Sequence, residues 1–169
     1  MLIIQVFRIM TDVTSTDLNN AIQSVLSKVS GVSELYPNQQ EIISTLFNND
    51  YVFYTSSTNS GKTLSAVIFP LILNELSSAG YNFPPNPKLL FVTALNSLQL
   101  SLINNVKALN ISCEAVTCEN VQNLLKSRTA VLFISPEVLK QSFVIQTLLL
   151  HRSSFVLKVV DEAHLGKPH

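Results

Sequence analysis

The sequence predicts an α/β domain in which helices cover both faces of a parallel sheet. Stretches that favour strands alternate with stretches that favour helices along most of the chain, which is typical of βαβ units with right-handed crossovers. Most of the strand stretches are predominantly apolar, as expected of strands buried on both faces. Apolar residues make up 47% of the 169 residues and charged residues 13%, a balance that suits one domain with a large core.

The elements follow in chain order. Residues 1–16 are predicted to be a loose lead-in to a domain at 17–169. Helices are predicted over residues 17–30, 39–47, 62–78, 97–109, 119–126 and 136–149. The first ends at Gly31, and its apolar residues recur at i, i+3, i+4 and i+7. Strands are predicted over 51–54, 88–93, 111–116, 129–134 and 155–160. We expect strands 51–54 and 155–160 to be neighbours near the middle of the sheet.

A polar turn between the strand at 51–54 and the helix at 62–78 has the composition of a phosphate-binding loop. It reads Ser-Ser-Thr-Asn-Ser-Gly-Lys-Thr from Ser56 to Thr63, which matches the Walker A pattern except that Ser56 stands at the first glycine position. Backbone N–H groups at a helix N-terminus hold phosphates because they lack intrahelical partners. The predicted ligands of the triphosphate are Ser57, Thr58, Asn59, Ser60, Gly61, Lys62 and Thr63. The alternative is a Ser/Thr-rich turn with an incidental Gly-Lys-Thr.

Two adjacent acids follow the last apolar strand. Asp161 and Glu162 open the sequence Asp-Glu-Ala-His, at the strand end where open α/β sheets bind their ligands. Asp161 is predicted to hold Mg²⁺ together with Thr63, and Glu162 to orient and deprotonate the attacking water. With Lys62, these two acids are the predicted catalytic residues. The alternative is a charged strand end that faces solvent.

Four motifs in this order resemble a superfamily 2 helicase, and within it the RecQ-like DNA helicases. The stretch Leu35–Ile43 resembles the motif in which a glutamine, here Gln39, reads adenine. Residues 91–98 resemble motif Ia, residues 134–139 resemble the Ser-Pro-Glu motif that touches DNA, and residues 161–164 match motif II in its DEAH form. The resemblance implies a RecA-like fold, ATP and Mg²⁺ as cofactors and DNA as partner, with 3′–5′ unwinding.

The resemblance also implies residues that contact nucleic acid. Thr93, Ser97 and Ser135 match positions that contact the strand, and His164 would couple hydrolysis to those contacts. Three of the motif residues have an alternative role: Gln39 can be a surface residue of its helix, Ser97 can cap a helix, and Ser135 precedes a good helix start. Motors of this family close ATP between two RecA-like domains. Because no second domain follows His169 in this sequence, we expect the chain alone to bind ATP weakly and not to unwind duplexes.

Three other readings stay open. An RNA helicase of the DEAD/DEAH type shares the Walker and acidic motifs, although Ser97-Leu98 is nearer the RecQ form of motif Ia. A small-molecule kinase has a Walker loop without needing the acidic strand end. A non-catalytic ATP-binding or interaction module is suggested by Ser56 and by Asn59, which stands where the family has glycine.

Composition limits the remaining possibilities. Formal net charge is zero, so nucleic-acid binding must come from local groups rather than from a basic surface. Cys113 and Cys118 are expected to be ordinary reduced thiols. No apolar stretch is long enough to span a membrane, and we expect an intracellular protein, nuclear in a eukaryote.

Overall fold

The computed structural model of the chain describes residues 2–7, 12–54, 61–94 and 97–161. The strands are β1 (Leu2–Val6), β2 (Tyr51–Tyr54), β3 (Lys88–Val92), β4 (Cys113–Ala115), β5 (Val131–Ile134) and β6 (Phe155–Asp161). The helices are α1 (Ser15–Lys28), α2 (Pro37–Asn48), α3 (Lys62–Ser78), α4 (Ser97–Ala108), α5 (Val121–Lys126), α6 (Pro136–Leu139) and α7 (Ser142–Leu150), and a short 3₁₀ turn covers Arg152–Ser154. Over these ranges, the strands form one sheet in the order β2-β1-β6-β3-β5-β4.

Helices cover both faces of this sheet, so the predicted three-layer α/β architecture is confirmed. Successive residues of a strand point to opposite faces. Leu89 and Phe91 of β3 accordingly join the core formed with α1, α2, α3 and α4, whereas Leu90 and Val92 join a second core formed with α5 and α7. Strands β3, β4, β5 and β6 run parallel to one another, as predicted.

Helix α3 is buried on nearly all sides. Its residues 65–70 are all buried, because the helix packs against α1, α2 and the first face of the sheet. A helix that is apolar all round needs such a central position. The helix that follows the predicted phosphate-binding loop is therefore fixed within the core, and its first residue is held in place.

The N-terminal segment differs from its prediction. Residues 1–16 were expected to be a loose lead-in, but Leu2–Val6 form β1, which pairs antiparallel with β2 on one side and β6 on the other. Leu2, Ile4 and Val6 are buried in the first core. The prediction that the strands at 51–54 and 155–160 are direct neighbours in mid-sheet is also wrong: β1 separates them, and β2 is an edge strand in the described part of the sheet.

The predicted helix over residues 136–149 is divided. Ser135 caps the short helix α6, Gln141 has an extended backbone, and α7 begins at Ser142. The other predicted helices and strands are present within a few residues of their expected bounds. No helix of the described ranges is both long and apolar enough to cross a membrane.

Candidate functional site

The carboxyl ends of the parallel strands bring the predicted site residues to one edge of the sheet. Leu2 pairs with Tyr54 on one side and with Asp161 on the other. Val92 of β3 pairs with Val160 of β6 and with Ile134 of β5. The next residue of each strand therefore lies at the same level, which places Thr93 beside Asp161 on one side and beside Ser135 on the other. With strands about 4.8 Å apart, Tyr54 and Asp161 are about 10 Å from each other across β1. The row therefore runs from the start of the predicted phosphate-binding loop, past the acid, to the predicted nucleic-acid contacts.

The end of the predicted loop has the geometry of an anion site. Gly61 has a φ of 65°, in the left-handed region, and is followed directly by the first turn of α3. Lys62 and Thr63 occupy the first two positions of that helix, where backbone N–H groups have no intrahelical acceptor and the helix dipole favours a negative charge. Both side chains are partly accessible to solvent. This arrangement can receive phosphate oxygens.

The first turn of α2 holds both ends of the predicted loop. The Asn38 side-chain amide donates to the Tyr54 hydroxyl at 2.9 Å, just before the loop. The Gln39 side-chain amide donates to the Gly61 carbonyl at 3.1 Å, just after it. The buried Ser65 hydroxyl of α3 also donates to the Gln39 carbonyl at 3.2 Å. Helix α2 therefore fixes the distance between β2 and the start of α3.

The contact between Gln39 and Gly61 leaves no room for a side chain at position 61. A Cβ added to Gly61 would lie 2.5 Å from Gln39 Nε2. Gln39 cannot easily move away, because its side chain is 3% exposed and its Oε1 accepts from the Tyr36 backbone N–H at 2.9 Å. Glycine is favoured here by its left-handed backbone conformation, and any Cβ would also have to displace the end of the Gln39 side chain.

Gln39 already uses both ends of its amide group within the protein. Its Nε2 donates to Gly61 and its Oε1 accepts from Tyr36. Its role in this structure is to cap α2 and to hold the loop. That Gln39 recognises the adenine base stays a prediction.

Asp161 and Thr63 suit a magnesium ion that is held together with a triphosphate. Mg²⁺ in nucleotide sites usually has one or two protein oxygen ligands, with phosphate oxygens and waters completing the octahedron. Asp161 is the last residue of β6 and is partly accessible at the ligand edge. No three His, Cys, Asp or Glu side chains of the described ranges cluster as a metal site by themselves.

The three predicted nucleic-acid residues have different surroundings. Thr93 is 3% exposed, and its hydroxyl has no hydrogen-bond partner within the described residues. Ser135 is equally buried, but its hydroxyl accepts from the Val138 N–H at 3.3 Å and caps α6. Ser97 is exposed at the first position of α4. Of the three hydroxyls, that of Ser97 is on an exposed residue, that of Thr93 is buried, and that of Ser135 has a structural role.

Several predicted site residues lie outside the described residues: Ser57, Thr58, Asn59, Ser60, Glu162 and His164. Their roles stay predictions. Sequence reasoning missed Asn38 and Tyr54, which hold the beginning of the loop. The available signal was the position of Asn38 beside Gln39, at the start of the same helix.

Comparison with known protein families agrees with this geometry. The family model of the DEAD/DEAH box helicases matches residues 36–167 of the chain, which include α2, the predicted loop, the row of strand ends and Asp161. Strand β1 lies outside the matched residues. A search of curated proteins found no match.

Proposed function

The chain belongs to the DEAD/DEAH box helicase family, and from this premise we propose that it is the ATP-binding motor domain of a RecQ-like DNA helicase. One observation carries the proposal. The strand that leads into the predicted phosphate-binding loop, Asp161 and the buried Thr93 meet at one edge of the sheet, and the exposed Ser97 begins the helix that follows Thr93. Nucleotide chemistry on one part of that edge can therefore be coupled to strand contacts on the next.

The proposed roles follow from the position and chemistry of each group. The backbone N–H groups up to Thr63 hold the phosphates, and Lys62 neutralises the charge that develops on the β- and γ-oxygens. Mg²⁺, when bound by Thr63 and Asp161, would supply further neutralisation of that charge. Glu162 accepts the proton of the attacking water, and His164 transmits the state of the site to the bound strand. Gln39 contacts adenine, which requires its amide to exchange its hydrogen bond with Gly61 or Tyr36 for one with the base.

The choice of DNA rests on motif Ia. Ser97-Leu98 matches the core of the RecQ form, whereas RNA helicases of the family favour a Pro-Thr-Arg-Glu-Leu core in place of Thr93–Leu98. Zero net charge implies that contacts to the backbone are few and local, made by hydroxyls and helix N-termini. We also propose that the protein acts inside the cell, and in the nucleus of a eukaryote.

Titration of Mg²⁺-ATP followed by single-turnover hydrolysis tests the proposal. We expect Mg²⁺-dependent binding that Lys62→Ala abolishes. We expect Glu162→Gln to leave binding intact and to slow hydrolysis by about 10²- to 10⁴-fold, since it removes the general base. Lys126→Ala is the matched control, because it removes the same charge from the last turn of α5 and should change neither quantity.

Addition of single-stranded oligonucleotides separates the remaining possibilities. The proposal predicts that DNA stimulates hydrolysis more than RNA of the same sequence. Stimulation by RNA alone would identify an RNA helicase. If the chain shows no Mg²⁺-dependent binding of ATP, the enzymatic proposal is wrong and a non-catalytic interaction module becomes the better description.

A further inference from the structure

Within the described part of the sheet, the strand that leads into the phosphate-binding loop has only one strand neighbour. Among the described strands, β2 lies at the edge and pairs with β1 alone, along Tyr51–Tyr54. The Tyr54 hydroxyl at the end of β2 also accepts a hydrogen bond from the Asn38 side chain of α2. Helix α2 also holds both ends of the loop, but the strand pairing that joins β2 to β6 runs through the five residues of β1.

Backbone hydrogen bonds show how β1 joins its two neighbours. The Val6 N–H donates to the Asp50 carbonyl at 2.8 Å, beside β2, and the Phe7 N–H donates to the Val156 carbonyl at 3.0 Å, on β6. Because the direction of N–H groups alternates along a strand, even-numbered residues of β1 bond towards β2 and odd-numbered residues towards β6. Loss of β1 would break both ladders at once.

Side chains fix β1 in place through one face only. Leu2, Ile4 and Val6 are buried against the first core, whereas Ile3 and Gln5 point to the opposite face and are only partly buried. Gln5 lies level with Lys158 of β6 and with Tyr51 of β2. The free energy that holds this strand in the sheet therefore comes mainly from three apolar side chains and the two ladders.

Strand β1 is also not part of the region that identifies the family. The family match begins at residue 36, and β1 runs antiparallel to strands that are otherwise parallel. We propose that β1 is a positioning element, which holds the loop-bearing strand in register with Asp161 and so controls nucleotide binding. The nucleotide part of this inference rests on the proposed function, whereas the control of β2 by β1 does not.

Hydrogen exchange of the unmodified chain tests the structural part. Because β2 has no other strand neighbour in the described residues, its amides should become exposed whenever β1 leaves the sheet. The amides of Val52 and Tyr54, which face β1, should thus exchange at the same rate as those of β1, and faster than those of β3 and β5. Protection of β2 that persists while β1 exchanges would overturn the proposal.

Two variants of the same strand test the control of binding. Ile4→Asp introduces a charge on the buried face of β1, whereas Gln5→Asp introduces the same charge on the partly exposed face, level with Lys158. Ile4→Asp should remove protection from β2 while β5 stays protected. It should also raise the Kd for Mg²⁺-ATP at least about tenfold, because the apparent affinity falls with the fraction of molecules in the competent arrangement. Gln5→Asp should retain both the protection of β2 and the Kd.

The outcomes separate this inference from the proposed function. An unchanged Kd in an Ile4→Asp chain whose β1 has left the sheet would overturn the control of binding. If the unmodified chain binds no ATP, the proposed function fails. The exchange rates of β1 and β2 then still decide whether one strand holds the other.

Discussion

Substitution of Gly61 by alanine probes the contact that holds the end of the phosphate-binding loop. Gly61 has a φ of 65°, and a left-handed conformation costs a residue with a Cβ about 1–2 kcal/mol. The new Cβ would lie 2.5 Å from Gln39 Nε2 and would displace a side chain that makes hydrogen bonds to Tyr36 and Gly61. Each lost bond costs about 0.5–1.5 kcal/mol. We expect Gly61→Ala to lower the free energy of unfolding by about 3 kcal/mol.

Gly31 provides the matched control. It has a φ of 78°, and among the described residues no heavy atom beyond Gly31 and its chain neighbours lies within 4 Å of the position where its Cβ would be. Gly31→Ala should therefore lower the free energy of unfolding only by the cost of placing a residue with a Cβ in a left-handed conformation, about 1 kcal/mol. The assay is urea denaturation of both variants, followed by titration with Mg²⁺-ATP. Gly61→Ala should also weaken nucleotide binding, because the first turn of α3 shifts away from the phosphates.

A double variant isolates the contact itself. In a Gln39→Ala background the clash is absent, so Gly61→Ala should cost about 1–2 kcal/mol less than in the unmodified chain. Equal costs for Gly61→Ala and Gly31→Ala, or strict additivity of the Gln39 and Gly61 substitutions, would refute the reasoning.

Three further predictions concern the scaffold. The buried ammonium of Lys88, whose pKa is lowered by burial, donates to two backbone carbonyls at 2.7 and 2.9 Å, so Lys88→Met should destabilise the chain by about 1–3 kcal/mol in urea denaturation. A hydrogen bond from the Tyr81 hydroxyl lowers the pKa of the Asp17 carboxyl. The stabilisation that this hydrogen bond gives the folded chain is complete above the unfolded pKa of about 3.9 and is lost as the pH falls through the lower pKa of the folded state. Tyr81→Phe should therefore be less stable than the unmodified chain at pH 7, with a difference that shrinks below about pH 4; an equal difference at both pH values would contradict this assignment. Phe53 is 66% exposed on the edge strand β2, so Phe53→Lys should reduce concentration-dependent light scattering without lowering stability.

The sequence was sufficient for elements whose signals are local. Helix α3 was predicted over 62–78 and is observed at Lys62–Ser78, because the Gly-Lys-Thr start and the long apolar run both lie within the segment. Strands β3, β5 and β6 were predicted for a similar reason, since each is a continuous apolar run. Parallel order among them follows from the intervening helices.

Elements that depend on distant partners were not predictable in this way. Strand β1 is five residues long and has the apolar, β-branched residues of a strand, but its partner strands begin at residues 51 and 155, so the pairing that makes it a strand is not visible locally. The break between α6 and α7 has no glycine or proline at Lys140 or Gln141 to mark it. Likewise, the sequence motif assigned Gln39 to a ligand, whereas its bonds to Tyr36 and Gly61 depend on how α2 packs against the loop.

The central claim is that the turn bearing Lys62 and the distant acid Asp161 act on one metal-bound triphosphate. A double-mutant cycle on ATP binding tests it most directly, with Thr63→Val and Asp161→Asn measured singly and together, with Mg²⁺ and with EDTA. If both side chains hold the same ion, each single change should abolish the Mg²⁺-dependent part of the affinity, and the double variant should lose little more. Losses that add independently, or Mg²⁺ dependence that survives either substitution, would contradict the claim.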